Sequence, residues 1–161
     1  MIDEAYVNFA KDSALPLVHK YDNVVILRSM SKGYSLAGLR FGYAIAQASL
    51  LKQLVKVRDS YPCDVVSIAA ATAALADQEY ARSTWDSVCS ERERLYSALQ
   101  AMGFDMPQSH SNFLLAQVPE GTNAESIYKE LKGRSILVRW WYLPRLADEV
   151  RITGGTEDQN N

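Results

Sequence analysis

Lys32 stands in the stretch of the chain, residues 28–43, that concentrates the most reactive side chains. Two hydroxyls precede it, Ser29 and Ser31 on either side of Met30; Gly33, Gly38 and Gly42 follow, and Arg40 comes shortly after. Hydroxyls at the mouth of a strand suit an anionic group such as phosphate. A lysine held among small residues can shed solvation and act as a nucleophilic amine. Arg40 adds a permanent charge with a forked donor set, the better phosphate partner. On residue types alone the plainer reading is the stronger one, a glycine-rich loop with a surface lysine, because Ser, Gly and Lys are ordinary loop residues.

Other candidates are scattered. Arg139 and Arg151 each end an apolar run, an expensive place for a cation that has no partner. Two such arginines on adjacent strands favour an anionic ligand. Asn112 is either an ordinary turn residue before a strand or a ligand contact. Trp140, Trp141 and Tyr142 form an aromatic run that reads as a packed edge. Asp3 lies so near the start that a strand before it has no room, and physically it reads as a frayed terminal acid. Cys63, Cys89, His19 and His110 stand at no ligand spacing, so no metal site is expected.

The elements that position these residues follow from apolar periodicity. Residues 23–27 read as a buried strand leading into the lysine loop, and residues 39–46 as another strand. Residues 15–21 read as a short helix with Pro16 in its first turn, and 48–57 as a second. An alanine-rich run at 65–76 and a long helix over 79–102 follow, the latter stopped by Gly103. Beyond it come a strand over 113–118, a short helix from 123 to 131 capped by Thr122 or Asn123, and strands at 136–139 and 149–153. The order predicts an α/β fold, a largely parallel sheet with sites at its strand ends followed by a small α+β unit.

At 161 residues, 48% hydrophobic and 22% charged, the chain has the composition of one ordinary globular domain. A net charge of −2 gives no electrostatic reason to expect nucleic acid or anionic membrane as a partner. No apolar run reaches the roughly 18 residues of a membrane span, and no secretory signal is visible. Two cysteines make no disulfide framework, so reduced thiols and a cytoplasmic location are the expectation.

In order, Arg28-Ser-Met-Ser-Lys-Gly-Tyr-Ser-Leu-Ala-Gly-Leu-Arg40 closely resembles the cofactor-lysine segment of fold-type I aminotransferases, which use pyridoxal phosphate, and most of all that of the histidinol-phosphate aminotransferases. Asp3-Glu-Ala-Tyr6, Leu-Val-Arg139 and Val-Arg151-Ile-Thr match further strings of that family. The resemblance implies that Lys32 joins the cofactor covalently, that Ser29, Ser31 and Arg40 hold its phosphate, that Asp3 pairs with the ring nitrogen and that Tyr6 donates to the ring oxygen. It implies that Arg151 clamps a substrate carboxylate, that Arg139 helps bind a distal phosphate and that Asn112 lies near the substrate. The implied reaction is transamination of histidinol phosphate with 2-oxoglutarate by a homodimer; alternatives are a related aromatic aminotransferase, a decarboxylase of phosphorylated amino acids, or a non-catalytic folded fragment. Members of the family are much longer, so the chain is expected to be the C-terminal half of such a protein. It would comprise part of the large domain (1–60), connecting helices (61–105) and a small α+β domain (106–161), with an unpaired sheet edge and bare apolar faces.

Overall fold

The computed structural model describes all of residues 1–161 and divides into two compact units, Met1–Trp85 and Asp86–Asn161. The first unit is built on a three-stranded sheet ordered β1 (Ile2–Asp3), β2 (Val25–Ser29), β3 (Gly42–Ala46). The short start does hold a strand: Ile2 and Asp3 pair in parallel with Ile26 and Leu27. A neighbouring strand supplies the ladder partners that so short a segment cannot supply for itself.

The sheet is mixed rather than largely parallel. β3 runs antiparallel to β2, with Ser29 opposite Gly42 and Val25 opposite Ala46. A parallel return needs a crossover, usually a helix, whereas residues 30–41 contain only a 3₁₀ turn, Ala37–Leu39. The strand is also shorter than predicted, because Arg40 takes a left-handed conformation (φ +54°) that extended backbone cannot continue. Ile26 and Met30 are fully buried at the centre of this unit. Gly42 is required where it stands: a Cβ there would lie 2.9 Å from the Arg28 carbonyl.

Helices α1 (Pro16–Lys20), α2 (Ala48–Val57), α3 (Val65–Ala76) and the start of α4 (Gln78–Ala101) complete the first unit. Gln47, just ahead of α2, donates from its Nε2 to the Val18 carbonyl in α1, at 2.7 Å. Asp64 caps α3 by accepting from the Ser67 amide at 2.9 Å, satisfying one of the orphan donors of a helix start. α3 is apolar around its circumference but leaves Val65, Val66, Ile68 and Leu75 exposed.

The second unit packs the rest of α4 with β4 (Phe113–Gln117), α5 (Ala124–Gly133), β5 (Glu149–Thr153) and α6 (Glu157–Asn160). β4 and β5 pair antiparallel, Phe113 opposite Thr153 and Leu115 opposite Arg151. Leu99, Met106, Leu114 and Ala116 form one buried cluster, and Val118, Ala124 and Val150 another. Each large side chain removed from water in this way contributes about 1.5–3 kcal/mol. Asn123, not Thr122, caps α5, its Oδ1 accepting from the Ser126 amide. The strand predicted at 136–139 does not form. Only Arg139 bridges to Arg151, while Ile136 and Leu137 are exposed with no ladder partner.

Candidate active site

The parallel pairing of β1 with β2 puts the carboxyl ends of both strands at one edge of the sheet, and the antiparallel direction of β3 brings its start to that same edge. Asp3 and Tyr6 follow from β1, Ser29, Ser31 and Lys32 from β2, and Arg40 leads into β3. Ligands bind at such strand ends in α/β sheets because loops there converge while the strands hold them fixed.

Lys32 is exposed, and its Nζ lies 5.1 Å from the centre of the half-buried Tyr6 ring. The next residue explains the approach. A Cβ on Gly33 would fall 2.3 Å from Asn8 Oδ1, so only glycine lets the lysine loop close onto the turn that carries Tyr6. Trp85 Nε1 donates to the Gly33 carbonyl, and the Trp85 ring meets Tyr34 edge-on at 5.4 Å. Ser29 Oγ accepts from the Ser31 amide at 3.1 Å, which closes the loop after β2 and leaves the Ser29 hydroxyl hydrogen for another acceptor. Asp3 Oδ1 accepts from the Ala5 amide at 2.9 Å. Arg40 folds back, its Nη1 donating to the Ala37 carbonyl at 2.9 Å, and lines a cleft of about 310 Å³ with Phe41, Cys63 and Ser67. No hydrogen bond joins Arg40 to Ser29 or Ser31.

One pair at this edge is not evident from the sequence. Glu4, buried beside Asp3, accepts from Arg28 Nε and Nη2 at 3.0 and 2.9 Å and from the Ala14 amide at 2.6 Å; the Ser13 hydroxyl lies 2.9 Å away. Burial pushes the Glu4 carboxyl up, but the bonds from Ala14, Arg28 and Ser13 together outweigh it and hold the group below its ordinary 4.5. The pair ties the exit of β1 to β2. The signal for it is an acid beside Asp3 and an arginine before Ser29, but nothing in the sequence couples residues so far apart.

The second unit holds the remaining predicted site residues. Arg139 and Arg151 exchange both backbone hydrogen bonds, at 3.0 and 2.8 Å, and residues opposed in this way project from one face. The Arg151 guanidinium lies 4.1 Å from the centre of the Phe113 ring, while that of Arg139, exposed, lies 5.5 Å from Trp141. Arg151 Nε and Asn112 Oδ1 are buried without a hydrogen-bond partner. Orphaned polar atoms are costly, and Glu149 Oε2 is a third one in this unit, so these side chains mark candidate contacts for a small polar ligand. Burial pushes the Cys89 thiol above the ordinary 9.0 despite Arg92 nearby, which favours the uncharged thiol.

Comparison with known proteins gives a consistent result. The family model for aminotransferase class I and II matches residues 1–161. The chain is 48% identical over 161 residues to histidinol-phosphate aminotransferase 1 of Trichormus variabilis, covering all of this chain and 46% of that protein. It is 43% identical over 159 residues to the histidinol-phosphate aminotransferase of Rhodopirellula baltica, covering 99% of this chain and 44% of the relative. Among solved structures, histidinol-phosphate aminotransferase from Sinorhizobium meliloti in complex with pyridoxal-5'-phosphate superposes with a TM-score of 0.85 at 28% identity, over 98% of this chain and 44% of that one. The chain thus spans about half the length of the curated relatives it matches.

Proposed function

The chain belongs to the class I and II aminotransferase family, and from that membership we propose that it carries the cofactor-lysine portion of a pyridoxal-phosphate-dependent transaminase that acts on histidinol phosphate with 2-oxoglutarate. The observation that carries this reading is the convergence at one sheet edge of Lys32 with Tyr6, 5.1 Å from ammonium to ring, beside the exits of the strands that bear Asp3 and Ser29.

The first unit supplies side chains of the chemistry that each group of the cofactor calls for, which supports the reading. Lys32 Nζ suits the aldehyde, the Asp3 carboxylate a protonated ring nitrogen, the Tyr6 hydroxyl the ring oxygen, and Ser29, Ser31 and Arg40 the phosphate. When bound, the cofactor supplies an electron sink for the substrate carbon. The protein supplies the rest. Lys32 Nζ would hold the cofactor and, when free, would take the proton from the substrate carbon and hold it on the amine for return to the reacting molecule, as base and then acid. Arg151 holds a carboxylate with two parallel N–H donors, Asn112 Oδ1 accepts from an amino group, and Arg139 holds a distal phosphate. Assembly as a homodimer, a cytoplasmic location, and the division into a partial large domain (1–60), connecting helices (61–105) and a small domain (106–161) belong to the same proposal. No helix is long and apolar enough to cross a membrane.

Incubation with pyridoxal phosphate followed by borohydride and peptide mass mapping tests the reading. A covalent adduct on Lys32, lost in Lys32→Ala, supports it. No adduct at saturating cofactor sinks it for this chain.

A further inference from the structure

Arg92 is an oddity of the second unit: a guanidinium on α4, 6% exposed, with no part in the chemistry above. A buried cation is tolerated only where its donors are used. Its Nη1 donates to the Ser111 carbonyl at 2.8 Å, and its Nε and Nη2 donate to Glu93 Oε1 at 3.0 and 2.8 Å. The other oxygen of Glu93 accepts from Gln108 Nε2 at 2.7 Å. Through this pair α4 grips both ends of the loop that leads into β4.

The loop is also tied from within. The hydroxyls of Ser109 and Ser111 lie 2.6 and 3.1 Å from the Phe113 carbonyl, and the Ser111 amide donates to Ser109 Oγ at 3.2 Å. On the far side the Asn112 carbonyl accepts from the Gly154 amide at 3.0 Å. Backbone is thus fixed on both sides of Asn112, while its side-chain oxygen stays buried and unpartnered, as does Arg151 Nε over the adjacent Phe113 ring. Polar atoms held open in this way are preorganised: the ordering cost is met before a ligand arrives.

We propose that Arg92 is a positioning residue for amino-acid binding: by holding the Ser111 carbonyl it fixes Asn112 and Phe113, and through Phe113 the Arg151 guanidinium, in the ligand-ready arrangement. This rests on the reading of Asn112 and Arg151 as an amino-acid site. In the absence of Arg92 the site residues are all still present, but the loop that aligns them is loose.

The test uses the full chain, titrated with glutamate by calorimetry, and backbone amide exchange read residue by residue. Arg92→Ala is expected to weaken glutamate binding about tenfold, the scale of one charge-assisted hydrogen bond, and to speed exchange at residues 109–113 while α5 stays protected. Arg92→Lys, which keeps the charge but not the fork of donors, is expected to fall between, about threefold weaker than wild type with faster exchange at residues 109–113, and it carries the test if the alanine variant does not fold. A merely structural role lowers the melting temperature and leaves the affinity of the folded protein and the local exchange as in wild type, and that result overturns the inference. Arg151→Ala separates the two claims. Loss of binding there with none in either Arg92 variant overturns the inference alone; wild-type binding in Arg151→Ala, or no saturable binding to the wild-type chain, overturns the amino-acid reading and the inference with it.

Discussion

Lys32 Nζ lies over the face of Tyr6, 5.1 Å from the ring centre, within the range of a cation–π contact. The contact joins two loops that leave different strands, and it gives the flexible lysine stem a preferred resting place at the sheet edge. An exposed contact of this kind is worth about 0.5–1 kcal/mol. Tyr6→Phe keeps the ring face but loses the hydroxyl proposed for the ring oxygen, and is expected to form the borohydride-trapped adduct more slowly than wild type at limiting pyridoxal phosphate. Tyr6→Ala, which loses the ring face as well, should be about two- to fivefold slower again. Equal rates in the two variants would show that the ring does nothing to place the lysine.

Glu4 and Arg28 give the first unit a pH dependence of definite sign. The Glu4 carboxyl is held below 4.5 in the folded protein, so the folded state favours its ionised form. The stability this contributes is fully present above the unfolded value and is lost as pH falls through the lowered folded value. Glu4→Gln leaves the Arg28 charge without its carboxylate and should cost about 2 kcal/mol at neutral pH, less than a fully buried pair because Arg28 is partly exposed. The gap between variant and wild type should close at acid pH. Urea unfolding at pH 7 and at pH 4 measures it; a gap that widens on acidification contradicts the assignment.

Gly33 is sensitive to substitution for a steric reason rather than a conformational one, since its φ is not positive. A methyl there would meet Asn8 at Oδ1, Cγ and Cβ, at 2.3, 2.5 and 2.9 Å. Gly33→Ala should therefore destabilise by about 1–3 kcal/mol, as overpacking does, and move Lys32 away from Tyr6. Asn8→Ala removes the two nearest atoms and should restore part of the loss in the double variant. A purely additive double variant would mean that the clash is relieved by some other route.

How far these relationships could be read from the sequence depends on their range. The lysine loop and the helices around it are local: a hydrophobic period, a proline in a first turn and a glycine after a last turn are written within a few residues of each other. The direction of β3 is not, because an apolar run has the same period whichever way it pairs. The strand at 136–139 fails for a related reason, since Ile136, Leu137 and Val138 have strand character but only Arg139 finds a partner. Asp3 is the converse, a residue too near the start for any periodicity, made part of a strand by Leu27. Of the proposed site, Lys32, Asp3, Tyr6 and the arginines were legible as motif positions. Glu4 with Arg28, Asn8 against Gly33 and Arg92 on Ser111 were not, because each joins segments that meet only after folding.

Arg40 offers a way to separate phosphate recognition from the covalent chemistry. Its left-handed backbone, at φ +54°, and its bond to the Ala37 carbonyl fix the start of the side chain at the edge where β3 begins. If its guanidinium holds the cofactor phosphate, removing it should matter only when a phosphate is there. Arg40→Ala should weaken adduct formation with pyridoxal phosphate by about ten- to a hundredfold, the scale of a charge-assisted contact to phosphate. With pyridoxal, which has the same aldehyde and ring but no phosphate, the variant should match the wild type. Arg40→Lys keeps the charge but not the fork and should fall between the two. A variant that loses affinity for both aldehydes alike has a damaged loop, and Arg40 would then be a structural residue of the β3 turn rather than a phosphate ligand.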